Sequence, residues 1–151
     1  MFTITNSAID MPSARKMLEH PRAGAYVAFE GWVRNHHEGR DVSHLEYEAY
    51  DVLCNKEAAC IRAEAMNKFD IMDLHCVHRI GRCEIGDMAV WVGVTAEHRA
   101  EALHACEYYM NELKARVPIW KKETYVTGSA EWVRCEACAQ HGHVHEHDHH
   151  Q

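Results

Sequence analysis

Between Lys114 and Lys122 the run KARVPIWKK carries four cations and no acid, inside a chain whose formal charge is -7. That local reversal of sign points to an anion site. Lys114 falls four residues after Met110, so on a helix the two share a face. Pro118 breaks that helix, and Lys121 follows in an extended segment that can fold back toward Lys114. Two amines converging on one pocket would repel each other, and repulsion with partial burial lowers a lysine pKa. One amine then makes a proton shuttle or a nucleophile while the other holds a negative group. Spacing alone leaves a plainer reading open, in which solvated lysines flank a helix end and complement its dipole.

Further cationic candidates are His98-Arg99 where the same helix opens, Arg34 after a long strand, and His78-Arg79 at a strand end. Each is unremarkable singly; only their joint pattern carries weight. Two other groups suggest different chemistry. Cys135-x-x-Cys138 followed by His141, His143, His145, His147, His149 and His150 is rich in ligands for zinc, nickel or copper. An accessory, solubilising tail is the competing reading of that composition. Cys76 near His78, or Cys106 near His98, would serve a cysteine nucleophile or sulfur relay. Neither lies in an exposed, glycine-rich or cationic loop, so buried structural thiols are the better reading.

The elements that must position these residues follow from periodicity. Residues 2–5 alternate like a short strand, and Asp10 with Pro12 opens a helix to about Glu19. GAYVAFEGWV, 24–33, is a strand; 34–40 is a polar loop; 42–50 is a second strand, and the two strands could pair as a long hairpin. Asp51 caps a helix from 52 to about 69 with Leu53, Ala58, Ile61, Ala65 and Phe69 facing the sheet. Residues 72–80 alternate as a half-buried strand, Gly81 and Gly86-Asp87 mark turns, and 88–96 is a central strand. A long helix spans roughly 97–116, with Leu103, Cys106, Tyr109, Met110 and Leu113 as its apolar stripe. Strands 119–126 and 130–134 form a hairpin around Thr127-Gly128-Ser129.

With 151 residues, 47% hydrophobic and 26% charged, the chain suits one compact domain, 1–134, followed by a Cys/His-rich tail, 135–151, too polar to bury a core. No apolar run reaches the length of a membrane span. The opening residues lack a secretory pattern, which makes the cytoplasm the expected location. Seven cysteines, an odd number scattered through periodic segments, read as thiols rather than a disulfide framework. Residues 1–134 hold 16 basic and 20 acidic side chains, a balance that disfavours nucleic-acid binding while permitting a local basic pocket.

Six stretches occur in a distinctive order: Phe29-x-Gly31-x-Val33-Arg34-Asn35-His36 with Gly39, Leu45-Glu46-Tyr47-Glu48-Ala49-Tyr50, His78-Arg79-Ile80-Gly81, Val94-Thr95-Ala96-Glu97-His98-Arg99, Lys114, and Val117-Pro118-Ile119-Trp120-Lys121-Lys122-Glu123. On these residues the chain resembles the large, catalytic subunit of molybdopterin synthase, from the first strand to Trp132. Asn111 stands where that family often has Asp, and Leu103 where an aromatic is common.

The resemblance implies an α+β fold, an α/β-hammerhead-like domain with a mixed and antiparallel sheet, two long helices and a small β-hairpin subdomain. It implies a sulfurtransferase that places two sulfurs on cyclic pyranopterin monophosphate, making the dithiolene of molybdopterin, with no cofactor required. Sulfur would arrive as the C-terminal Gly-Gly thiocarboxylate of a small ubiquitin-like subunit, and the assembly would be a homodimer core within a heterotetramer. Carried over by position, Lys114 and Lys121 are the catalytic lysines. Arg34, His98 and Arg99 are pocket residues for the pterin phosphate, and Phe29 and Met110 line the site.

Overall fold

The computed structural model describes residues 1–134, folded as two sheets and three helices. The first sheet has the order β1-β5-β7-β2, from β1 (Phe2–Thr5), β5 (Asp73–Arg79), β7 (Met88–Ala96) and β2 (Ala25–Trp32). β1 runs parallel to β5, and the remaining pairs are antiparallel. β7 is central because its apolar run is buried on both faces, including Trp91, Val92 and Val94. Gly93 on this strand is a packing requirement. A Cβ there would stand 2.6 Å from Leu18 Cδ1 and 2.5 Å from the Trp91 ring.

Helices α2 (Asp51–Lys68) and α3 (Arg99–Arg116) cover this sheet. Their buried stripes, Cys54, Ala58, Ile61 and Ala65 on one, Ala102, Ala105, Cys106, Tyr109, Met110 and Leu113 on the other, form the main core with β5 and β7. Leu53 and Leu103, expected in these stripes, are about half exposed, at 51% each. Small neighbours (Cys54, Ala102) take the inward positions and let the helices approach the sheet closely. Asp51 lies in the first turn of α2 rather than at the cap, which is Tyr50 with no side-chain cap bond. Its carboxylate complements the helix dipole instead. The first helix, α1 (Met11–Lys16), is shorter than its pattern suggested, and Asp10 caps it by accepting from the Ser13 backbone N–H at 3.2 Å.

The second sheet comprises β3 (His36–His37), β4 (Arg40–Ala49), β6 (Gly81–Glu84), β8 (Ile119–Tyr125) and β9 (Ala130–Arg134). Its order is β3-β4-β8-β9, with β6 pairing to β4 on the edge opposite β8. The expected hairpin between the strands at 24–33 and 42–50 does not form. β2 pairs with β7, and β4 pairs with β8, so the two strands belong to different sheets. The chain passes between sheets through buried Val33, whose N–H donates to the Asp87 carbonyl. β3 and β4 instead make a tight hairpin around Glu38 (φ 49°) and Gly39 (φ 77°), the two positive-φ residues of a type I′ turn.

Candidate active site

A cleft of about 470 Å³ opens between the two sheets at the C-terminal end of α3, a size that suits a small-molecule ligand. Each wall follows from an element boundary. β2 contributes Phe29 and the adjoining Arg34, β4 contributes Leu45 and Tyr47, and the end of α3 contributes Met110 and Lys114. Val117 and Pro118 end α3 in extended backbone, so β8 returns along the cleft with Ile119, Lys121 and Glu123 facing it. Alternation puts those three on one side of the strand, two residues apart. Lys121 lies opposite Tyr47 and Glu123 opposite Leu45 in the β4–β8 register.

Five expected site residues, Phe29, Arg34, Met110, Lys114 and Lys121, thus line one cleft. His98 and Arg99 do not join them. They line a separate hollow with Gly24, Glu97 and Leu103 at the other end of α3. The fifteen-residue separation of Arg99 and Lys114 along the helix is about 22 Å.

The cleft also contains residues whose roles were not apparent from spacing. Glu123 is 2% exposed, and its Oε1 has no hydrogen-bond partner among the described residues. His37 Nε2 stands 3.8 Å from that oxygen and 3.6 Å from Glu38 Oε1, both beyond hydrogen-bonding distance. His78 is buried, and its ring packs edge-on against Tyr47 with centroids 5.2 Å apart. Desolvation lowers its pKa to about 4, so this histidine is neutral at pH 7 and does not add to the cationic set. Its Nδ1 lies 2.8 Å from the Arg79 carbonyl oxygen. A carbonyl only accepts, so Nδ1 carries the proton and Nε2 keeps the lone pair. Arg79 is engaged elsewhere, with Asp87 at 3.2 Å. Strand alternation from Ile119 could have flagged Glu123, since it places this acid beside Lys121.

Among the described residues, the cysteine–histidine pairs raised by the sequence supply no nucleophile. Cys54, Cys76, Cys83 and Cys106 are buried, and desolvation pushes Cys76 up to about 12 and Cys106 to about 11. Cys60 is exposed on α2. Among the described residues there is no group of three or more His, Cys, Asp or Glu side chains that could hold a metal ion. No helix among them is long and apolar enough to cross a membrane. The proposed tail ligands Cys135, Cys138, His141, His143, His145 and His147 lie outside the described residues.

Fold and site define an α+β protein with a cleft, lined by Arg34, Lys114 and Lys121, of a size for a small molecule. The sequence pattern of the MoaE protein family matches residues 4–116. A molybdopterin synthase catalytic subunit from Pyrococcus abyssi is 42% identical over 125 residues, covering 82% of this chain and 83% of the relative. The crystal structure of molybdopterin synthase from Staphylococcus aureus superposes with a TM-score of 0.82 at 36% identity, covering 87% of this chain and 96% of that one. A protein–protein complex of subunits 1 and 2 of molybdopterin-converting factor from Helicobacter pylori shares the fold, with a TM-score of 0.71 at 20% identity and 88% of each chain covered. The chain belongs to the MoaE family, the catalytic subunits of molybdopterin synthase, a sulfur-transferring enzyme of molybdenum cofactor biosynthesis.

Proposed function

We propose that the cleft between the sheets transfers sulfur from a thiocarboxylated small subunit to cyclic pyranopterin monophosphate. The observation that carries this reading is the convergence of Lys114, Lys121 and Arg34 on one cavity in a chain of net negative charge. A phosphate ester and a thiocarboxylate are both anions, so bringing them together requires fixed cations, and the forked guanidinium of arginine matches phosphate oxygens. Sulfur attack expels oxygen from the pterin side chain, a step that needs a positioned general acid. Lys114 or Lys121 supplies that proton while the other amine holds the incoming carboxyl group. Phe29 and Met110 give the cleft its apolar lining.

His98 and Arg99 enter this scheme through a second copy of the chain. Their hollow is too far from Lys114 to serve the same bound molecule within one subunit, and a homodimer core can bring one subunit's hollow to its partner's cleft. The complex of subunits 1 and 2 in the Helicobacter pylori neighbour supports a second kind of subunit as the further partner, and in this reading that subunit is the small sulfur carrier of a heterotetramer. Residues 1–134 form the catalytic body, and 135–151 are an accessory segment. The deciding experiment is incubation of the chain with pyranopterin monophosphate and a thiocarboxylated small subunit. Dithiolene product is expected, and binding without turnover would make the protein a pterin-binding module instead.

A further inference from the structure

The cations of the cleft account for the anionic parts of the proposed reactants but not for the acceptors beside them. Among the described residues, Glu123 Oε1 has no hydrogen-bond partner, in a side chain that is 2% exposed. A buried polar atom without a partner is costly unless something bound to the protein supplies one. His78, with its proton committed to the Arg79 carbonyl, has Nε2 left as an acceptor. Both residues line the same cleft as Lys114, Lys121 and Arg34. They are linked through β4, since Glu123 lies opposite Leu45 in the strand register and His78 packs on Tyr47, two residues on. The cleft therefore holds both donors for anions and acceptors for N–H groups.

An amino-pyrimidinone ring presents adjacent N–H and NH₂ donors, the same paired geometry that a carboxylate accepts from guanidinium. Glutamate likewise accepts from the exocyclic amine of a nucleobase. We propose that Glu123, assisted by His78, reads the N–H edge of the pterin ring and so selects the substrate's heterocycle while the cations hold its phosphate. This rests on the reading of the cleft as a pterin-phosphate site. It assigns Glu123 a role in specificity, separate from the sulfur-transfer step. A purely electrostatic role, with Glu123 as counter-charge to Lys121 on the same strand face, makes the opposite prediction about phosphate.

Three probes separate these roles, with the full chain in each case: 6-hydroxymethylpterin, its 6-hydroxymethyllumazine counterpart with an oxo group in place of the 2-amino group, and inorganic phosphate. Pterin and lumazine binding are followed by ligand fluorescence, and phosphate binding by calorimetry. The wild type is expected to favour the pterin over the lumazine by roughly ten-fold, the worth of a hydrogen bond to a charged acceptor. Glu123→Gln should abolish that preference and leave phosphate affinity unchanged, whereas Arg34→Ala should weaken phosphate and keep the preference. Retention of the preference in Glu123→Gln overturns the proposal, as does a loss of phosphate affinity as large as the loss for pterin. Should the Gln variant not fold, the wild type decides alone, because equal affinity for the two heterocycles overturns the proposal. An intact preference without sulfur transfer sinks the proposed reaction and leaves this inference standing; turnover without the preference does the reverse.

Discussion

At the scale of the residue, the cleft divides its labour by charge, and the predictions follow that division. Lys114→Ala and Lys121→Ala should each lower turnover roughly a hundred-fold or more, the usual worth of a positioned proton-transfer group, with the circular dichroism spectrum unchanged. A wild-type rate in either variant removes that lysine from the mechanism. Arg34→Ala should act on binding instead, weakening the pterin phosphate by roughly 2 kcal/mol, or about thirty-fold, as read from the apparent affinity. His78 makes a stability prediction. Burial holds its pKa near 4, against 6.5 for an exposed imidazole. Between those values the unfolded chain binds a proton that the folded chain does not, so stability falls as pH drops from about 6.5 to 4, by about 3 kcal/mol in all. Urea midpoints of His78→Gln at pH 4.5 and 7 should differ less than those of the wild type. A residual slope is expected from His75, whose pKa burial also lowers. The cationic residues of the cleft were legible because Lys114 and Lys121 flank a proline break that sequence shows directly. Alternation sets Glu123 on the side of Lys121, but its burial was not legible, because that comes from β4 lying against β8, a pairing between segments some seventy to eighty residues apart.

At the scale of the element, most spans were legible and some pairings were not. Period-two alternation identified β1 and β5, a continuous apolar run β7, the Thr127-Gly128-Ser129 turn β8 and β9, and apolar spacing α2 and α3, because those signals are local. Strand partners are not local: β2 and β4 are neighbours in sequence, yet β2 lies against β7 and β4 against β8. The short strands β3 and β6 escaped notice because each is defined by its pairing with β4 rather than by its own pattern. The β3–β4 turn carries His36 and His37 to the cleft wall, and its two positive-φ residues are Glu38 and Gly39. Glutamate is a poor choice at such a position, where asparagine is preferred. Glu38→Asn is therefore expected to stabilise the protein by about 0.5 kcal/mol, whereas Gly39→Val should destabilise it by about 1 to 2 kcal/mol. Urea denaturation checks both, and a destabilised Asn variant would show that the exposed Glu38 carboxylate near His37 matters more than the backbone.

At the scale of the whole molecule, α3 connects two sites through its length, with Lys114 in its last turn and His98 at its cap. If both ends act on one substrate, chains defective at opposite ends must complement each other. Truncation after Arg134 should first be shown to preserve sulfur transfer while removing most uptake of zinc, nickel or copper, because Cys135, Cys138 and the histidines from His141 onward then leave the chain. Loss of transfer would place the tail in the active site or partner interface, and unchanged metal uptake would end the chelation reading. The body can then be tested as a dimer by mixing Lys114→Ala with Arg99→Ala after reversible dissociation. In a mixed dimer, one composite site carries both substitutions and the other carries neither. Random reassociation makes half of the dimers mixed, so activity should recover to about a quarter of the wild-type value. Were each subunit to use its own Arg99, every site in the mixture would carry one substitution and no activity would return. Recovery thus requires that the distance between the ends of α3 be bridged by a second chain, and it ties the proposed homodimer directly to catalysis.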